Sequence, residues 1–306
     1  MVLSPLTGTS EVALLKTFDT EKLIEGWQST FGIDIREEFR GVTTIYLYQC
    51  SRTKLNFFQP DAAMGSDKLY EQLEAFDWYY IPDKWEHKVA IGDLKGCSKV
   101  LEVGCGFGEF VRRLRNDCGI DALGLELNQS AVATGKKNGI PILPHNLADF
   151  SLQHPSTFDA VCGFQVLEHV NRPREFIESA MKLLKPGGKL IFCVPNAGSF
   201  LRHTQNLLDM PPHHMLRWSI ESFESLQNLF PLRLDRIKLE PLAAYHIDYY
   251  LNAQHGRFLK SNPLLSRLFF NRFTLMFLRR WLLAGGRKFY VGQSLYAVLR
   301  KSREIP

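Results

Sequence analysis

The sequence predicts an α/β fold, a mostly parallel sheet with helices on both faces, and three observations carry that expectation. Strand-like and helix-like segments alternate along the middle of the chain, at 99–103, 109–117, 121–125, 129–138, 140–143, 158–163, 174–184 and 189–194. Alternation of this kind implies crossover units and a parallel sheet. The strand Lys99-Val-Leu-Glu-Val103 runs into Gly104, Gly106 and Gly108, and a helical pattern follows at once (Phe110, Val111, Leu114). Pro173 suits the first turn of a later helix, and Pro186-Gly187-Gly188 ends it.

The glycine turn is the most informative segment. Glycines let the backbone bend sharply and approach a ligand closely. The helix start behind them favours an anionic or polar ligand group. A dinucleotide site wants G-x-G-x-x-G, but here the third glycine comes one residue early and Glu109 stands in its place. Glu102, two residues before the loop, would repel a pyrophosphate and attract an ammonium group. Ala122-Leu-Gly-Leu-Glu126 reads as a second strand ending in an acid suited to two ribose hydroxyls. A ligand with an ammonium, a carboxylate and a free ribose is S-adenosylmethionine (SAM) rather than NAD.

At these residues the chain resembles the class I SAM-dependent methyltransferases. Leu101-Glu-Val-Gly-Cys-Gly-Phe-Gly108 resembles the family's first motif, Glu126 its ribose acid, Phe158-Asp-Ala-Val161 its fourth strand, and Val166-Leu-Glu-His-Val170 the turn after it. Leu184-Lys-Pro-Gly-Gly-Lys-Leu-Ile191 resembles the loop into the fifth strand. The resemblance covers residues 85–240 and a closing strand at 292–300. It implies a Rossmann-like seven-stranded sheet whose last strand runs antiparallel. It also implies that Asn146, after the third strand, contacts the adenine amino group, with Asp149 as a nearby alternative.

Candidates on the acceptor side remain open between two roles. Gln165 ends the fourth strand, where open sheets bind ligands, or is an amide facing water. His169 is a base or a brace for the next helix. His213 and His214 lie in Met210-Pro-Pro-His-His-Met-Leu-Arg-Trp218, a loop expected over the methyl group, where His214 leads as base. The alternative is a rigid connector. Three histidines suggest a metal, but no carboxylate partner is evident in the sequence, so none is expected. Tyr79, Tyr80, Trp85 and residues 245–250 line an acceptor pocket or belong to the core.

The remaining segments divide the chain into 1–80, an N-terminal auxiliary module; 81–242, the SAM-binding core; 243–290, a helical cap or insertion; and 291–306, the last core strand and a basic tail. The module carries a short helix through Trp27, strands at 43–48 and 54–58, a helix near 69–76 and the cluster Trp78-Tyr-Tyr80. Such modules sometimes hold zinc through cysteine pairs; only Cys50 stands here, which predicts no zinc. A helix at 84–94 leads into the core, and a helix at 219–229 precedes a strand at 232–240. From Leu251 to Pro306 there are eleven Lys/Arg and one acid in a chain of net charge +5. That asymmetry makes the insertion a lid, a dimer contact or a peripheral membrane contact. Nucleic acid is disfavoured, since no aromatic–basic face accompanies the charge. Six cysteines without a C-x-x-C pair, and no secretory pattern in the first 17 residues, suit a cytoplasmic location. The sequence therefore points to methyl transfer from SAM to a small-molecule or sugar-linked acceptor, on oxygen before nitrogen or carbon. The alternative is a non-catalytic SAM-binding or membrane-associated partner protein.

Overall fold

The structure, a computed structural model, describes residues 1–76, 79, 83–262 and 269–303. Trp78, Tyr80, residues 264–268 of the insertion and Glu304 lie outside the described residues.

The chain opens with strand β1 (Val12–Asp19) and helix α1 (Thr20–Phe31). Asp19 caps α1 by accepting from the Glu21 N–H, and Gly32, at φ 70°, ends it. The buried face of the helix is Leu23 and Trp27. Strands β2 (Thr44–Cys50) and β3 (Asn56–Gln59) and helix α2 (Asp67–Glu74) follow. β1 escapes the sequence reading because it is an edge strand with almost no buried side chain, leaving Leu14 and Leu15 half-exposed where alternation would hide them.

Helix α3 (Trp85–Asp93) leads into the main unit: β4 (Lys99–Val103), α4 (Glu109–Cys118), β5 (Asp121–Leu125), α5 (Gln129–Lys137), β6 (Ile142–Leu143), α6 (Leu147–Gln153), β7 (Phe158–Phe164), α7 (Pro173–Leu183) and β8 (Leu184–Pro195). Then come β9 (Leu216–Arg217), α8 (Ile220–Ser225), β10 (Leu232–Pro241), α9 (Ile247–Ser261), α10 (Arg272–Leu283) and β11 (Val291–Lys301). Across the seven-stranded sheet the order is β10, β11, β8, β7, β4, β5, β6. Neighbours run parallel except where β11 pairs, antiparallel to both β8 and β10. This is the sheet the sequence predicts.

Two differences in the main unit have a clear local cause. β8 begins at Leu184, ahead of the glycines, because Leu184 pairs with Phe158 before the register shifts. α6 is an added short helix, capped by Asn146.

A second sheet orders β1, β2, β3, β9. Its last strand comes from the segment after β8, so the N-terminal strands are hydrogen-bonded to the main unit. The two share one apolar cluster, from Leu23 and Phe57 to Leu190 and Trp218. The insertion builds its own cluster on Phe200 and Leu201, with Ile247, Leu251 and Leu282.

Trp218 is wholly buried, its indole N–H donates to the Leu167 carbonyl, and its ring packs on Phe223 at 5.1 Å. Trp218→Ala is expected to cost about 3–5 kcal/mol in urea unfolding. A loss below about 1 kcal/mol would contradict its place as the joint between the two sheets.

Candidate active site

β4 and β7 lie side by side, yet the chain leaves β4 toward β5 on one flank and reaches β7 on the other. A crevice opens at such a reversal, at the carboxyl ends of the strands. Glu102, the glycine loop, Glu126, Gln165 and His169 all come from these ends.

The loop residues Gly104, Gly106 and Gly108 take left-handed φ of 68°, 52° and 80°. A Cβ on Gly104 would lie 2.5 Å from Val166 Cγ2, and one on Gly108 2.8 Å from Ile140 and Ile142. Conformation and space both demand glycine there. Behind the loop α4 starts without a side-chain cap, so its positive end faces the turn. Glu126 Oε2 accepts from the Gly106 N–H at 2.8 Å, and Oε1 from the Leu127 and Asn128 N–H groups at 2.8 and 2.9 Å. Oε2, with one bond, keeps a lone pair for a further donor, while Oε1 already accepts two.

Glu102 is buried, and its Oε2 has no hydrogen-bond partner among the described residues. Burial pushes its carboxyl up to about 8, against the pull of Lys84 and with added repulsion from Glu126. An orphaned buried carboxylate is costly unless a donor or cation meets it, and a ligand ammonium group fits that need.

Asn146 is exposed. Its Oδ1 accepts from the Asp149 N–H at 2.8 Å and its Nδ2 donates to Asp149 Oδ2 at 2.5 Å. Asn146 thus caps α6, and the two residues offered for the adenine contact are hydrogen-bonded to each other. Gln165 holds a left-handed φ of 56°, a strained state for a non-glycine residue of the kind that gathers at functional sites. Its N–H donates to the Cys193 carbonyl at 2.7 Å.

The three histidines converge. Ring centroids are 4.8 Å apart for His169–His213 and for His169–His214, and 4.4 Å for the stacked His213–His214 pair. His169 Nδ1 donates to the His213 carbonyl at 2.7 Å and lies 3.1 Å from the Tyr70 hydroxyl. His213 Nδ1 donates to the Leu208 carbonyl at 2.8 Å, and its Nε2 lies 3.3 Å from the Tyr79 hydroxyl. His214 Nδ1 lies 3.4 Å from Asp209 Oδ1. Burial holds His169 down at about 4, and His213 and His214 well below the usual imidazole range, with neighbouring imidazoles adding repulsion to those two.

Asp209 corrects the sequence reading: a carboxylate does stand beside the histidines, so the argument that none is available fails. It is buried, and burial raises it to about 6 while Arg217, 3.0 Å from Oδ2, pulls it down. Glu168 and Tyr70 were also missed. Glu168 is buried with neither carboxylate oxygen partnered among the described residues, and burial lifts it to about 8. Nothing in sequence spacing links Tyr70 to a histidine 99 residues away. Trp85 packs on Tyr296, and Tyr245 is exposed.

A parallel sheet whose switch point carries this loop and this acid defines a nucleotide-cofactor-binding α/β protein. The methyltransferase domain family matches residues 48–234, more than half of the chain, and the chain belongs to that family. Among curated relatives it is similar to ubiquinone biosynthesis O-methyltransferases. The mitochondrial one of Schizosaccharomyces pombe is 36% identical over 105 residues, 31% of this chain and 36% of the relative. That of Aliivibrio fischeri is 32% identical over 107 residues, 32% of this chain and 44% of the relative. The chain thus spans less than half the length of the curated relatives it matches. Similar solved structures include a SAM-dependent methyltransferase from Archaeoglobus fulgidus, with TM-score 0.46 and 18% identity, over 70% of this chain and 94% of that one. A cyclopropane synthase from Mycobacterium tuberculosis has TM-score 0.46 and 18% identity, over 71% and 83%.

The buried acid has a consequence for stability. With its carboxyl at about 8, Glu102 keeps in the folded state a proton that the unfolded chain releases near 4.5. The depressed histidines act in the opposite sense, but only below about pH 6.5. Stability should therefore fall as pH rises from about 6.5 to 8. Melting temperatures across that window are expected to decline, and less steeply in Glu102→Gln. An equal decline in the variant would contradict a protonated Glu102.

Proposed function

We propose that this chain is a SAM-dependent methyltransferase acting on an oxygen of a small-molecule or sugar-linked acceptor. The observation that carries the reading is Glu102, a buried carboxylate whose Oε2 has no partner among the described residues, set beneath a turn of three left-handed glycines. Gly104, Gly106 and Gly108 would admit the close approach of the amino-acid end, Glu102 would meet its ammonium, and Glu126 would take the ribose hydroxyls. The strand-end position supports an adenine contact from Asn146 and an edge contact from Gln165. When bound, SAM supplies a methyl group already activated by its sulfonium.

The protein then has to place an acceptor in line and manage its proton. His169, His213 and His214 form the acceptor-side wall, with Tyr70 and Tyr79 behind them. Asp209 fixes the His214 ring. The O-methyltransferases among the relatives support oxygen over nitrogen or carbon. Calorimetry tests the reading: SAM and S-adenosylhomocysteine should bind, NADH should not, and Glu126→Ala should weaken binding at least ~10-fold, the loss of one charged hydrogen-bond partner. His214→Ala should keep cofactor affinity and lose turnover. Absence of binding by either sulfur ligand contradicts the assignment.

A second reading concerns location: a cytoplasmic enzyme in peripheral contact with an anionic membrane surface. On α10, Phe273 and Phe277 are 77% and 70% exposed, and Phe289 beyond it 84%. Arg272, Arg280 and Lys288 are exposed among them. With Phe258, Phe269 and Phe270, the two α10 phenylalanines line an aromatic groove of about 520 Å³. Bulky apolar side chains among cations suit the boundary of anionic lipid. No described helix is long and apolar enough to cross a membrane. The chain should sediment with phosphatidylglycerol vesicles at low salt, and Phe273→Ser/Phe277→Ser should not. Failure of the parent chain to sediment overturns this reading.

A further inference from the structure

We propose that His169, His213 and His214 form a binding site for one divalent first-row transition ion, with zinc as the reference ion. One ring nitrogen from each lies within 4.8 Å of the others. The tautomers follow from the hydrogen bonds. A carbonyl oxygen cannot donate, so Nδ1 of His169 and Nδ1 of His213 carry the hydrogen they give to the His213 and Leu208 carbonyls. Nδ1 of His214 faces the Asp209 carboxylate in the same sense. All three rings therefore carry their lone pair at Nε2. For His169 and His214 that nitrogen has no hydrogen-bond partner among the described residues, and for His213 it meets the Tyr79 hydroxyl at 3.3 Å.

Two carbonyls and one carboxylate holding Nδ1–H groups, with the lone pair left at Nε2, is the outer support that metal-bound histidines need, and an ion would take His213 Nε2 from the Tyr79 hydroxyl. Bond lengths of 2.0–2.1 Å place the nitrogens of a tetrahedral zinc site roughly 3.4 Å apart, so nitrogens within 4.8 Å of one another close on an ion by side-chain rotation alone. Imidazole ligands favour zinc, nickel or copper, whereas magnesium and calcium want oxygen. Three protein ligands leave a fourth position for an oxygen donor. That this donor is the acceptor hydroxyl rests on the methyltransferase reading; the binding of the ion does not.

The test uses the full chain stripped with a chelator. Zinc is titrated by calorimetry and cobalt(II) by visible absorption, with S-adenosylhomocysteine affinity and melting temperature measured on the same samples. One equivalent of each ion should bind. Cobalt should show four-coordinate d–d bands without thiolate charge transfer, which separates this site from the six cysteines. His214→Ala should weaken binding by at least ~10-fold. Asp209→Asn should weaken it ~10–100-fold through the ring it positions, and Asp209→Glu should recover part of that loss. Should His214→Ala fail to fold, Asp209→Asn carries the comparison. Substoichiometric binding, thiolate bands, equal affinity for magnesium, or unchanged affinity in the folded variants overturns the site. Because S-adenosylhomocysteine binding is read separately, loss of the metal site would leave the cofactor assignment standing.

Discussion

Three parallel strands end at the same height, and the cofactor-side candidate groups depend on that register. Val103 of β4 pairs with Leu125 on one side and Gly163 on the other. The glycine loop, Glu126 and Gln165 follow those three residues by one or two positions. The Gly104 and Cys105 N–H groups both donate to the Leu125 carbonyl, and Glu126 reaches back to Gly106. The end of β5 thus holds the loop in shape. A slip of one residue in β4 would turn Glu102 to the opposite face and take its unpartnered carboxylate away from the loop.

The N-terminal strands serve the same edge from the other side. β3 pairs with β9, the Phe58 N–H donates to the Met215 carbonyl at 2.9 Å, and the Gly65 N–H donates to the Pro212 carbonyl at 2.7 Å. These bonds grip the His213–His214 loop from both ends, and Tyr70 of α2 reaches His169 directly. What looks in sequence like an appendage is, in packing, part of the wall around the site. The wall is energetically tense. Glu168, next to His169 in the chain, and Asp209, next to His214 in space, are buried acids raised by desolvation, as Glu102 is beneath the loop, and the three imidazoles are held neutral. Such groups are tolerated where bound ligands or bound ions meet them.

The order of the main sheet was legible because alternation and glycine chemistry are local signals. β4 and β5 stand where the pattern places them, and the reversed last strand followed from the family resemblance. The edge strand β1 was not legible, since neither of its faces is buried enough to enforce a period of two. The loop and Glu126 could be read because a motif holds them within 25 residues. The histidines could be named singly, but their meeting could not. His169 comes to His213 by tertiary packing over 44 residues, and Asp209 joins them in a loop with no periodicity to read. Asn146 shows another limit: its place in the chain suggests a ligand contact, while its role as the N-cap of α6 is visible only in the structure.

The most direct measurement is a crystal structure of the chain with S-adenosylhomocysteine. The account predicts the ribose hydroxyls on Glu126, the amino group on the Glu102 side of the glycine loop, and the sulfur facing the histidine wall. A ligand bound elsewhere, or one that leaves Glu102 Oε2 without a partner, would contradict it.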